Sequence, residues 1–274
     1  MPEWSIGPHS KCGVPARVPR VRIPVFPHSG GQNLNRDAVL LSFFRFITQT
    51  PDNRSMPKRY SPGEEIANTS THAVGILMGV VVGVAFIVTS LKGGDAWTGW
   101  SIGLYLFGML SSYICSTAYH ALPQGRAKQV LRKFDHAAIY WHIAGSYSPI
   151  TLLAIMQKYD IWGIGLFCFI WGAAIVGSVF SFFGQKSHSH LETVCYVLMG
   201  LSVLVAFGPL WDSAGVIATS WMIAEGVMYI TGAFFYALYK KPYTHTIFHV
   251  FVLLGSVCHI VAVWDVLTQF LLNK

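Results

Sequence analysis

The stretch Ala73-Val74-Gly75-Ile76-Leu77-Met78-Gly79-Val80-Val81-Val82-Gly83-Val84-Ala85-Phe86-Ile87-Val88-Thr89-Ser90-Leu91 carries no charged side chain from end to end. A helix needs about 20 mostly apolar residues to cross the hydrocarbon core of a bilayer, and this segment meets that length. Six more apolar stretches follow, at 98–119, 137–156, 161–183, 191–211, 217–238 and 247–267. Short joints of turn-forming or charged residues separate them: Lys92-Gly93-Gly94-Asp95, Pro123-Gln124-Gly125-Arg126, Lys158-Tyr159-Asp160, Gly184-Gln185-Lys186, Asp212-Ser213-Ala214-Gly215 and Lys240-Lys241-Pro242. Each joint breaks a helix and sits in polar surroundings. The reading is an all-α polytopic membrane protein, a bundle of seven transmembrane helices.

Composition agrees with lipid as the solvent. Of 274 residues, 53% are hydrophobic and only 11% charged, against roughly 25% charged in an average soluble domain. The net charge of +7 divides between loops and reports orientation, so nucleic acid is not a partner. Cys12, Cys115, Cys168, Cys195 and Cys258 include no Cys-x-x-Cys pair, which argues against a disulfide framework or a thiolate metal site. Small residues inside the spans, as in Gly172-Ala173-Ala174 and Gly177-Ser178, permit close helix contacts.

Residues 1–55 differ in kind. They hold seven of the thirteen prolines, six arginines and one lysine, without a long apolar run, so they read as a disordered or non-native extension ahead of a membrane domain at 56–274. The apolar run 38–47 is short and interrupted by Arg45, unlike a cleavable signal. Met56 opens Met-Pro-Lys-Arg-Tyr-Ser-Pro-Gly-Glu-Glu, and translation is expected to start there.

Basic residues fix the orientation. Lys58, Arg59, Arg126, Lys128, Arg132, Lys133, Lys186, Lys240 and Lys241 flank one side, against Lys92, Lys158 and Lys274 on the other. The positive-inside rule puts the nine in the cytoplasm, with the N-terminus inside and the C-terminus outside.

Ionisable residues at membrane depth are costly and mark function by default. His120 ends the second span, Asp135 begins the third, His245 and His249 begin the seventh, and Glu65, Asn68 and His72 lead into the first. All seven fall at the cytoplasmic end, an orientation fixed without them. His245 and His249, four apart, share one helix face, as two imidazole ligands of one metal require. With His120 they supply three neutral imidazoles. Three imidazoles plus a water make the open tetrahedral zinc site of hydrolases, and Asp135 is a carboxylate able to hold that water and take its proton. Ser116, one turn before His120, could bond the imidazole, the water or its own helix carbonyl. Glu65, Asn68 and His72, at i, i+3 and i+7, form one stripe if the first helix begins early; they orient a ligand or cap that helix. His259 lies 14 residues beyond His245, about 21 Å along a helix, and is a core polar contact. Glu225 and Asp265 are expected to bond neighbours or interfacial water. His136, His142, His188 and His190 read as bystanders.

The set resembles the haemolysin III branch of the progestin and adipoQ receptor family, which includes the adiponectin receptors. The matching pieces are Glu65-Ile66-Ala67-Asn68-Thr69-Ser70-Thr71-His72, Ser116-Thr117-Ala118-Tyr119-His120, Phe134-Asp135-His136 and His245-Thr246-Ile247-Phe248-His249. They lie in order within about 58–270. The resemblance implies zinc on His120, His245 and His249, with Asp135 holding a water. It also implies residence in a bacterial inner membrane and, since the wider group includes alkaline ceramidases and receptors described as hydrolysing lipid amides, metal-dependent hydrolysis of a membrane lipid. Two other readings stay open: a receptor-like sensor of membrane state with structural zinc, and the cytolytic pore that the historic name suggests. No secretion signal or amphipathic inserting stretch supports the pore.

Overall fold

The computed structural model describes residues 60–93, 96–183, 190–238 and 240–274. The expectations for residues 1–55 and for a start at Met56 lie outside them, as do the Gly184-Gln185-Lys186 joint, His188 and the side chain of His190.

Every regular element among the described residues is helical: α1 (Pro62–Lys92), α2 (Ala96–Ala121), α3 (Arg126–Pro149), α4 (Asp160–Phe183), α5 (His190–Leu201), α6 (Phe207–Ala237) and α7 (Thr244–Leu272). A π-helical stretch, Ile150–Ile155, and a short turn, Met156–Lys158, extend α3, and a 3-10 stretch, Ser202–Ala206, joins α5 to α6. Five helical stretches are long and apolar enough to cross a membrane: Pro62–Lys92, Ala96–Ala121, Asp160–Phe183, the 47-residue Leu191–Ala237 and Thr244–Leu272. The chain is an integral, multi-pass membrane protein. Its apolar side chains face outward as freely as inward: Val74, Leu77, Val81 and Val84 on α1 are all more than half exposed, a surface that only lipid covers without cost.

Two starts differ from the hydropathy reading. α1 begins at Pro62, eleven residues before the apolar stretch, because Ser61 and Glu64 form a reciprocal capping box around Pro at the first turn. The stripe of Glu65, Asn68 and His72 is therefore helical. α3 likewise begins at Arg126, and its polar first turns escape lipid because α2, α4, α5 and α7 pack around it. The joint at 212–215 is no loop either. Helix continues on both sides, and only Gly215, at φ 75°, leaves it, a conformation that glycine takes without a Cβ penalty.

Glycines set the closeness of the helices. Gly75, Gly79 and Gly83 form a groove on α1 that receives Tyr113, Leu110 and Leu106 of α2, and Gly108 of α2 lies directly against Gly145 of α3. Gly177 of α4 meets Tyr140, whereas Gly172 has no neighbour and faces outward, so only the second of the two small-residue stretches makes a helix contact through its glycine. At one end, Asp212 accepts from Tyr159 at 2.6 Å and pairs with Lys158, and exposed Trp97, Trp100, Trp162 and Trp211 ring that end, as interfacial tryptophans do. At the other end, the start of α1 is tied to the start of α7. Glu64 accepts from the Tyr243 backbone N–H at 3.0 Å, and Tyr243 holds the left-handed conformation, φ 58°, that turns the chain into α7. The end of α2 and the start of α3 meet there too.

Candidate metal centre

The end of α2 and the first turn of α7 bring three imidazoles to one point. His120 Nε2 lies 3.2 Å from His245 Nε2, which lies 3.1 Å from His249 Nε2, and the three potential ligand atoms fall within 4.8 Å of one another. His120 and His249 are buried and His245 half-buried.

The outer nitrogens decide what these rings present. His120 Nδ1 is 2.7 Å from Glu65 Oε2; a carboxylate accepts, so Nδ1 carries the proton and Nε2 of the neutral ring is a bare lone pair. His249 Nδ1 donates to the Asn68 carbonyl at 3.3 Å and to Thr71 Oγ1 at 3.2 Å, the Thr71 hydroxyl being itself a donor to Ala67 and Asn68 carbonyls at 2.9 Å. Its Nε2 is therefore also a lone pair. Tetrahedral zinc with Zn–N bonds of about 2.0–2.1 Å spaces its nitrogens about 3.3 Å apart, close to the 3.2 and 3.1 Å that separate His245 Nε2 from its two neighbours. The residues fit a metal ion: three nitrogens converge, and at least two are locked into the ligating tautomer by groups behind them.

Those groups come from α1 and α3. Glu65 is shared between His120 and Lys128 Nζ, 2.8 Å from Oε1. Lys128, 1% exposed, also donates to the carbonyls of Tyr119 and Leu122 at 2.9 Å, so it closes the C-terminal end of α2 as well as neutralising Glu65. Asn68 is buried, its Nδ2 3.4 Å from His120 Nδ1 and its Oδ1 accepting from Thr246 Oγ1 at 2.6 Å. His72 stands apart from its stripe partners: its ring stacks on His249 at 3.6 Å, and neither of its buried nitrogens has a hydrogen-bond partner among the described residues. It meets the cluster with its face, not with a nitrogen. Tyr60 stacks on His245 at 5.2 Å, and burial raises its phenol well above the ordinary value, so it adds no charged oxygen.

His245 and His249 open on to a cavity of about 470 Å³. Ser116 and Asp135 line it too, as do Tyr119, Arg132 and Tyr236. It runs along the bundle to His142, Glu225 and His259. Two groups read as bystanders or isolated contacts are paired: His136 with Glu192 at 2.6 Å, and His259 Nδ1 with Glu225 Oε2 at 2.7 Å, its Nε2 donating to the Ser146 carbonyl at 3.1 Å. Asp265 accepts from Gln269 at 2.7 Å. Lys128 and Arg132, counted among nine cytoplasmic loop cations, are instead enclosed by the bundle. Sequence reasoning missed Tyr60, Thr71, Thr246 and the role of Lys128. Thr71 and Thr246 sit inside motifs already singled out, and the missing signal was the register that brings α1 against α7.

A multi-helix membrane bundle with a buried three-histidine cluster at one end defines the class: integral membrane proteins able to hold a metal ion between their helices. The profile of the family described as Haemolysin-III related matches residues 60–260, and the chain belongs to that family. It is 35% identical over 193 residues to "Hemolysin-3 homolog" of Bacillus subtilis (strain 168), covering 70% of this chain and 89% of that protein. It is 33% identical over 193 residues to "Hemolysin-3" of Bacillus cereus, covering 70% and 87%. It is also 31% identical over 200 residues to "Heptahelical transmembrane protein ADIPOR2" of Oryza sativa subsp. japonica, covering 65% and 86%.

Proposed function

We propose that this protein is a zinc-dependent hydrolase of the bacterial inner membrane, acting on an amide or ester of a membrane lipid reached from the inner leaflet. The observation that carries this reading is the convergence of three imidazole Nε2 atoms, 3.1 and 3.2 Å apart, beside a cavity that His245 and His249 line together with a carboxylate, Asp135. His120, His245 and His249 hold the ion. When bound, zinc lowers the pKa of a water and polarises a carbonyl. Asp135 orients that water and accepts its proton, Ser116 hydrogen-bonds beside it, and Glu65, Asn68 and Thr71 keep the imidazoles in the ligating tautomer. The apolar body of the cavity, lined by Ile139, Ile143, Ile150 and Leu210, takes an acyl chain. Leu204, Ile223 and Val227 line it and are still more than half exposed, which supports lateral entry from lipid. A cavity meeting the histidines favours an enzyme over a sensor with a sealed site, and its apolar walls do not favour a lytic pore.

The same reading has seven crossings. The 47 residues of Leu191–Ala237 would span about 70 Å as one helix, more than twice the roughly 30 Å core, and the break at Gly215 divides them into two. α3 makes the remaining crossing inside the bundle, and the heptahelical name of the rice relative is in keeping with this count. Removing the enclosed Lys128 and Arg132 from the nine cations leaves seven against three, so the histidine end still faces the cytoplasm. A cysteine placed at Gln124 should resist impermeant thiol reagents in intact cells while one at Asn273 reacts; the reverse pattern overturns the orientation.

The function is tested by incubating the purified protein with lipid amides and esters of matched chain length. Wild type should release fatty acid, chelation should stop it, and Asp135→Ala should retain metal but lose activity by about 100-fold or more. Loss of metal along with Asp135 would make the carboxylate a ligand, and undiminished turnover would remove it from the chemistry.

A further inference from the structure

Three cations of α3 near the histidine cluster are treated differently by the fold. Lys128 is saturated by Glu65 and the carbonyls of Tyr119 and Leu122. Lys133 donates to the Phe182 carbonyl at 2.9 Å. Arg132, between them in the chain and only 9% exposed, lines the cavity and takes part in none of the ion pairs among the described residues. Two nearby carboxylates are committed elsewhere: Glu65 to His120 and Lys128, and Glu192 to His136 and Ser181. Asp135, three residues on, faces the same cavity without pairing with it. A buried guanidinium that no carboxylate contacts directly is a costly arrangement in a protein interior, and more so at membrane depth.

Position indicates what balances it. Arg132 lies about 4.5 Å nearer the start of α3 than Asp135, whereas the apolar walls lie beyond Asp135, at Ile139, Ile143 and Ile150. A lipid whose chain fills those walls and whose carbonyl meets the histidines has its headgroup, not its acyl carbonyl, at Arg132. We infer that Arg132 recognises the phosphate of an anionic lipid headgroup, so that the substrate class is a phospholipid and not a neutral lipid; this rests on the hydrolase reading above. Guanidinium binds phosphate through two parallel N–H donors, and Tyr60, Tyr119 and Tyr236 line the same end of the cavity.

The test separates binding from turnover. The purified full chain in detergent is mixed with equal amounts of phosphatidylglycerol and diacylglycerol carrying identical chains, and the retained lipid is measured by native mass spectrometry. Wild type should retain phosphatidylglycerol about tenfold or more over diacylglycerol, Arg132→Gln should lose that preference, and Arg132→Lys should keep part of it. His120→Ala, which removes a proposed metal ligand and leaves the guanidinium, should keep the preference for phosphatidylglycerol over diacylglycerol while turning nothing over. Equal retention of both lipids by wild type overturns the inference without recourse to any variant, as does a preference that survives Arg132→Gln in folded protein. A preference lost in His120→Ala but kept in Arg132→Gln assigns the selectivity to the metal and also overturns it. Abolition of the preference by millimolar inorganic phosphate makes the ligand a soluble anion and overturns the lipid assignment. Intact preference with no hydrolysis of any lipid sinks the hydrolase reading alone.

Discussion

His249 and His259 lie on the same helix, ten residues apart and both almost fully buried at 1% and 3% exposure, yet the protein uses them in opposite ways. His259 spends both nitrogens on protein, Nδ1 on Glu225 and Nε2 on the Ser146 carbonyl. With Nε2 fixed as a donor, a single proton lies between Nδ1 and the carboxylate whichever side holds it, and the pair is complete. His249 spends only Nδ1 on protein and turns Nε2 toward two other imidazoles. A histidine with both nitrogens bonded is a tie between helices; one held from behind with its second nitrogen facing its own kind has room for an ion. The three-histidine cluster also differs in reach. Glu65, Lys128, Asn68 and Thr246 link α1, α2, α3 and α7 through it, whereas the Glu225 pair joins α6, α7 and one carbonyl of α3.

If the metal cluster is one connected network, breaking its ion pair between the buried Lys128 and the largely enclosed Glu65 should produce the largest effect. Lys128→Met leaves Glu65 without its cation and the Tyr119 and Leu122 carbonyls without this donor, and should lower stability by about 3–5 kcal/mol and weaken zinc binding as well. Thermal unfolding in detergent and zinc titration read the two effects; a melting temperature like that of wild type would mean that the network is not coupled.

A smaller effect is expected at the isolated pair. Glu225→Ala strands His259 Nδ1 and should cost about 1–3 kcal/mol while leaving zinc content unchanged. Loss of metal there would show that the two regions are one system and erase the contrast between them.

The smallest effect belongs to His72. Phe keeps the stack on His249 and removes two nitrogens that have no partner, so His72→Phe should change stability by less than about 1.5 kcal/mol and leave zinc affinity intact. A sharp drop in affinity would place His72 among the ligands.

Much of this was legible in the sequence, because apolar runs of membrane-spanning length and the histidine spacing His245-x-x-x-His249 follow directly from helix geometry. What hydropathy does not see is polar helix. The first turns of α1 and α3 carry Glu64, Glu65, Arg126 and Lys128, and they fall outside the apolar stretches at 73–91 and 137–156, although the Ser61–Glu64 capping box announces the first of them. Turn residues at 212–215 suggested a loop where a single left-handed glycine suffices to break a helix. Tertiary pairing was beyond reach for a different reason. That Lys128 is enclosed and Arg132 lines a cavity depends on four helices closing around α3, which no local pattern records, so both were counted as surface charge.

Zinc analysis of the purified protein and four alanine variants puts the metal centre to the most direct trial. Wild type should carry about one zinc per chain, and His120→Ala, His245→Ala and His249→Ala should each abolish it or weaken it sharply, since three protein ligands leave none in reserve. His259→Ala, which removes a buried imidazole on the same helix as His245 and His249, should lose stability and keep its zinc. Retention of zinc by the three ligand variants, or a folded wild type with no affinity for zinc, would contradict the account.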